Sequence, residues 1–127
     1  MTNMGSTLSA GQQLNQNDYL SSPSGNYQLI LQDDGNLVLY RSPGPNEVVE
    51  WESNTQGQDS QYAIMQTDGN FVIYGPGGPP NALWSTGTHG STDCSLTITD
   101  YSPPPGVTLD IFDQDSNSSL WEVGSNR

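Results

Sequence analysis

Lysine is missing from this chain, and Arg41 and Arg127 are its only arginines against fourteen aspartates and glutamates, for a net charge of −12 with the single histidine neutral. Such a surface repels a phosphate backbone or an anionic bilayer, which argues against nucleic-acid binding and membrane insertion. The acids are scattered rather than gathered into a tail, so solubility is their expected role. A single cysteine, Cys94, leaves no partner for an intrachain disulfide. Three alanines and no sustained 3.6-residue periodicity leave little material for helices. No apolar run is long enough to cross a bilayer as a helix. The opening Met1 to Ala10 has no basic stretch followed by an apolar one, so it does not read as a secretory signal, and a cytoplasmic or non-classically secreted protein is expected. Against these absences stand three tryptophans, six tyrosines and regularly placed aliphatic residues, enough to pack one domain over residues 1–127.

What the chain does have is a repeat. Gln32-Asp33-Asp34-Gly35-Asn36-Leu37-Val38-Leu39-Tyr40 returns 34 residues later as Gln66-Thr67-Asp68-Gly69-Asn70-Phe71-Val72-Ile73-Tyr74. Both copies satisfy Gln-x-Asp-x-Asn-x-Val-x-Tyr, a five-residue match of roughly one in a million at any given start. Trp51, Trp84 and Trp121, spaced 33 and 37 residues apart, close what read as about three modules. The tails Trp51-Glu52-Ser53-Asn54-Thr55 and Trp84-Ser85-Thr86-Gly87-Thr88 are similar, and Trp121 to Ser125 is a looser echo.

Short alternating segments between Gly, Pro, Asn and Asp indicate strands, and the hairpin register follows from the turn. Asp33-Asp34-Gly35 suits a three-residue turn with Gly35 in the left-handed position. Gln32 then faces Asn36, Ile30 faces Val38 and Gln28 faces Tyr40, with Leu29, Leu31, Leu37 and Leu39 on the opposite face. A two-residue turn would put Gln32 among the leucines, at roughly 1–3 kcal/mol without a partner. The second module splits likewise: Ala63, Met65, Phe71 and Ile73 inside, Tyr62, Ile64, Gln66, Asn70, Val72 and Tyr74 outside. The third keeps Leu96, Ile98, Leu109 and Ile111 inside but shows Thr99, Thr108, Asp110 and Phe112 outside, and an insertion around Ser102 to Gly106 lengthens its turn. That copy is expected to pack but not to bind as the others do.

A row of amide, carboxylate and phenol around one small apolar residue suits a sugar, whose neighbouring hydroxyls donate and accept beside a patch of C–H surface. The amides of Gln32 and Asn36 can do both, Asp34 accepts charge-assisted bonds, Tyr40 reaches the edge and Val38 offers ring carbons an apolar contact. Gln66, Asp68, Asn70, Tyr74 and Val72 repeat each role. Turn chemistry alone explains Asp34, Gly35 and Asn36. It leaves the recurrence of Gln, Val and Tyr on the outward face unexplained. The tryptophans, by contrast, read as core rather than as sugar platforms.

With two complete motifs, and with Leu8, Gly11-Gln12-x-Leu14, Leu20 and Gly25-Asn26-Tyr27 before them, essentially the whole chain resembles the monocot mannose-binding (bulb-type, snowdrop-type) lectins. The resemblance implies an all-β fold, β-prism II: three four-stranded antiparallel sheets about a pseudo-threefold axis, with the tryptophans meeting at the centre. It implies that Gln32, Asp34, Asn36 and Tyr40, with Val38, hold one mannose, and Gln66, Asp68, Asn70 and Tyr74, with Val72, another. The partners would be mannose or oligomannose glycans and glycoproteins, with defence or glycan recognition as the outcome and no cofactor. Members of the family often dimerise by exchanging C-terminal strands, for which only Glu122 to Arg127 follow the last tryptophan here. The third motif is degenerate, which argues against a third site, while the absence of the plant disulfide pair and of a visible signal peptide suggests a cytoplasmic homologue.

Other readings carry less. A glycosidase needs two carboxylates across a sugar, and each row holds one, so an enzyme is not expected. Asp113-Gln114-Asp115-Ser116-Asn117 resembles the start of a calcium loop but has Ser118 and Gly124 where glycine and glutamate are required, so it reads as an acidic turn with no metal. His89 and Cys94 are single residues without partners and read as surface-loop positions. A protein-interaction or toxin module on the same fold, with secondary sugar binding, is the alternative from another class.

Overall fold

A computed structural model describes residues 2–41, 43–100 and 106–124. Three very short strands come first: β1 (Thr7–Leu8), β2 (Gln13–Asn15) and β3 (Tyr19–Ser21). Three sets of three follow: β4 (Tyr27–Leu31), β5 (Leu37–Arg41) and β6 (Val48–Glu52); β7 (Tyr62–Met65), β8 (Phe71–Tyr74) and β9 (Ala82–Ser85); β10 (Cys94–Asp100), β11 (Val107–Asp113) and β12 (Ser118–Gly124). They form three four-stranded antiparallel sheets in the orders β3-β4-β5-β6, β2-β7-β8-β9 and β1-β10-β11-β12. This is the three-sheet architecture expected from the sequence. Each sheet thus takes its first strand from the N-terminal segment, which no local pattern announces. Leu8, Leu14 and Leu20, six residues apart, each anchor one of those strands and are fully buried.

The hairpin registers are those derived above. Leu31 pairs with Leu37, Ile30 with Val38 and Gln28 with Tyr40; Met65 pairs with Phe71 and Tyr62 with Tyr74. The inward residues of all three sheets merge into one buried cluster. Each fourth strand carries an extra residue just before its tryptophan, Glu50, Leu83 and Leu120, where the pairing register shifts by one. A bulge at this place re-aims the strand after the outward aromatic has been paired, so that the tryptophan sits opposite an inward aliphatic residue. Trp51, Trp84 and Trp121 then meet edge to face, with ring centroids 5.5, 5.5 and 6.1 Å apart. The half-buried indoles pack on the core, one from each sheet.

Two expectations need correcting. Cys94 is not on a surface loop: it opens β10 and is buried, in alternation with Leu96 and Ile98. Burial, reinforced by Asp113, Asp93 and Asp115, holds its thiol above the ordinary range. The outward face of the second module is also less open than alternation suggests, because Val72 and Tyr74 are buried there. Ile64 and Ser85 flank Val72 in register, and the Tyr62 ring lies 5.5 Å from that of Tyr74. The insertion in the third module lies outside the described residues except for Gly106.

Candidate functional site

Both rows are built the same way from turn chemistry upward. In each, the aspartate folds back on its own turn: Asn36 N–H donates to Asp34 Oδ1 at 2.9 Å and Asn70 N–H to Asp68 Oδ1 at 3.0 Å. Gly35 and Gly69 take φ of +93° and +92°, and a Cβ on either would strike the carbonyl oxygens of the loop below. That loop clamps the turn. Thr55 and Ser60 hydroxyls donate to the Gly35 carbonyl at 2.6 and 2.7 Å, and the Thr88 hydroxyl to the Gly69 carbonyl at 2.7 Å.

The asparagine joins row and loop. Asn36 Oδ1 accepts from Thr55 N–H and Ser53 Oγ, both at 3.2 Å. Asn70 Oδ1 accepts from Gly87 N–H at 2.9 Å, Thr88 N–H at 3.2 Å and Thr86 Oγ1 at 3.3 Å. Backbone N–H groups can only donate, so these bonds fix the amide orientation and turn Nδ2 outward. Here the rows differ: Asn36 Nδ2 donates to Glu52 Oε1 at 2.8 Å, whereas among the described residues no acceptor meets Asn70 Nδ2.

At the far end of each row, Gln32 Nε2 donates to the Tyr40 hydroxyl at 2.6 Å, and Gln66 Nε2 to the Tyr74 hydroxyl. Among the described residues each row therefore retains the second oxygen of its aspartate and the glutamine Oε1 as acceptors, and the tyrosine O–H as a donor. The asparagine Nδ2 adds one hydrogen in the first row, where Glu52 takes the other, and two in the second. Val38 and Val72 form the floor between these groups and are only 2% exposed each. The five predicted residues of each row are thus brought together, the first set on the β4–β5 hairpin and the second on the β7–β8 hairpin.

The third sheet keeps the frame and changes the chemistry. Register puts Thr108, Asp110 and Phe112 in the places of asparagine, valine and tyrosine. Burial lifts the Asp110 carboxyl above its usual range, opposed by the Ser119 hydroxyl and aided by Glu122. Asp113, in the acidic turn, is itself buried, and accepts from Ser116 Oγ at 2.8 Å, Ser91 Oγ at 2.9 Å and Asp115 N–H at 3.0 Å. The Ser116 and Ser91 hydroxyls hold its carboxyl below the ordinary range.

Ser53, Thr55, Thr86 and Thr88, which position the asparagines, were not among the expected site residues. Their signal was present as the repeated tail after Trp51 and Trp84. Val123 stands where Ser53 and Thr86 stand, so the third sheet has lost this clamp together with its asparagine.

No protein-family model and no curated protein matches the chain. Solved structures do. The monomeric monocot mannose-binding lectins of Gastrodia elata are 30% identical, over 92% of this chain and 94% of theirs, with a TM-score of 0.69. The chain belongs to the monocot mannose-binding lectin family. A Japanese Marasmius oreades lectin is 26% identical at a TM-score of 0.79, over 96% of this chain and 93% of that one. The mannose-specific agglutinin of snowdrop (Galanthus nivalis) bulbs, complexed with methyl-α-D-mannoside, is 28% identical at a TM-score of 0.58, over 96% and 92%. The fold is therefore that of the bulb-type lectins, β-prism II, and as a member of a lectin family the chain is not an enzyme.

Proposed function

We propose that this lectin-family protein binds mannose and mannose-containing glycans through two rows, Gln32, Asp34, Asn36, Val38 and Tyr40, and Gln66, Asp68, Asn70, Val72 and Tyr74, in defence or glycan recognition. One observation carries the reading: in two separate hairpins the same five side chains converge, each held by its own turn, with acceptors and donors left over in the second row as in the first. A neighbouring pair of sugar hydroxyls needs that mixture, and the valine floor suits ring C–H groups. Relatives whose structures carry a mannoside support the choice of sugar.

Few exposed hydrogen bonds replace water on binding, so a monosaccharide should bind with a Kd on the order of millimolar. The test is calorimetric titration with methyl α-mannoside and a branched oligomannose of the wild type and the Asp34→Asn/Asp68→Asn double variant. Asparagine keeps the Oδ1 that caps the turn and replaces the free acceptor by a donor. Affinity in the double variant should fall at least about tenfold, one charge-assisted bond per row. Undiminished binding would place the ligand elsewhere.

A further inference from the structure

We propose that Glu52 makes the two rows unequal, so that a neutral mannoside binds the second row about tenfold more tightly than the first. The inference rests on reading both rows as mannoside sites.

Glu52 and Ser85 are the same position in two sheets. Glu52 pairs across the ladder with Val38 and Ser85 with Val72, so each side chain stands on the outward face beside the floor of its row. Glutamate is long enough to reach the asparagine, and Asn36 Nδ2 donates to its Oε1 at 2.8 Å. Serine is too short for an equivalent bond. Asn36 cannot escape by turning its amide over, because Thr55 N–H and Ser53 Oγ hold Oδ1 on the loop side. Nor can it relax into solvent, being 5% exposed. Glu52 thereby takes one of the two Nδ2 hydrogens, and a sugar hydroxyl that needs that hydrogen must compete with a carboxylate already bonded to it. Such a bond is roughly twice as strong as the neutral one the hydroxyl would form. In the second row Asn70 offers its donor without that competitor.

The experiment follows the side-chain amide signals of Asn36 and Asn70 in the full ¹⁵N-labelled chain during titration with methyl α-mannoside, so each row reports its own affinity. Three proteins are compared: wild type, Glu52→Ser and Ser85→Glu, with the backbone amide spectrum away from the rows as a check on folding. The wild type should titrate at Asn70 well before Asn36. Glu52→Ser should tighten the first row about tenfold, and Ser85→Glu should weaken the second by a similar factor. A role of Glu52 in stability alone would not transfer to Ser85→Glu. Equal affinities in the wild type, or a first row weakened by Glu52→Ser, would overturn the proposal, since glutamate would then be neutral or a sugar contact. Absence of any shift at either row in all three proteins would overturn the mannoside reading itself, and this inference with it.

Discussion

Asn36 and Asn70 serve two masters, the loop through Oδ1 and the ligand face through Nδ2. That double use decides how the site should be probed. Replacing Asn36 by alanine leaves Thr55 N–H without its acceptor in a buried place, at about 1–3 kcal/mol, whereas the Ser53 hydroxyl keeps Thr55 Oγ1 at 2.8 Å. Asn36→Ala should therefore lower stability by roughly 1–3 kcal/mol in urea unfolding, and Asn70→Ala by less because its surroundings are half-buried. Asp34→Asn, exposed and still able to cap its turn, should stay within roughly 1 kcal/mol of the wild type. A urea series in which Asn36→Ala and Asp34→Asn lose equally would show that the loop does not depend on the asparagine. At this scale the sequence disclosed the glutamine, valine and tyrosine, whose recurrence turn chemistry did not require. It disclosed the tail hydroxyls only as a similarity, because a serine two residues past a tryptophan has no pattern that says what it will hold.

Strands differ in how far they can be read from sequence, and the reason is length. The β4–β5 and β7–β8 hairpins were legible to the residue, since period-two alternation and a glycine needed at φ near +90° fix a single register. β1, β2 and β3 hold two or three residues with one leucine apiece, too few for any period to show, and their sheets lie far along the chain. Cys94 was misplaced for a similar reason: as the first member of a buried alternation it has no inward neighbour before it. The third sheet also carries two aspartates whose titration should oppose one another. Asp113 has a folded pKa below its unfolded value of about 3.9, so its contribution is fully present above that value and is lost as pH falls through the folded pKa. Asp110 has a folded pKa above the unfolded one, so ionising it costs stability at neutral pH, a cost relieved as pH falls through its folded pKa. Asp113→Asn should be less stable than wild type at pH 7, with the gap closing as pH falls below the unfolded value of about 3.9. Asp110→Asn should be the more stable protein at pH 7, its advantage vanishing in acid. Thermal unfolding from pH 7 down to 2.5 checks both, and parallel profiles for all three proteins would refute the assignment.

For the molecule as a whole, the consequence of three sheets around one core is that two rows with nearly the same chemistry belong to different faces. Trp51, Trp84 and Trp121 lock the sheets to one another, so the two hairpins are carried on a shared rigid body rather than on a flexible tether. Two weak sites fixed in this way gain little for a free monosaccharide. On a dense mannose surface the second contact becomes intramolecular, and avidity can exceed either affinity by roughly 10²–10⁴ where the spacing allows. A single variant separates the two effects. Asp68→Asn disables the second row and leaves the first, so calorimetry with methyl α-mannoside should still detect the remaining weak site. Retention on a mannan-coated sensor should collapse by about a hundredfold or more, close to that of the Asp34→Asn/Asp68→Asn protein. The net charge of −12 supplies a control, because binding that depends on hydrogen bonds to a neutral glycan should change little between 0.05 and 0.5 M salt, whereas adventitious ionic adsorption would not survive the change. If Asp68→Asn holds to mannan as well as the wild type does, the rows act one at a time, and the prism serves to stabilise two independent sites rather than to couple them.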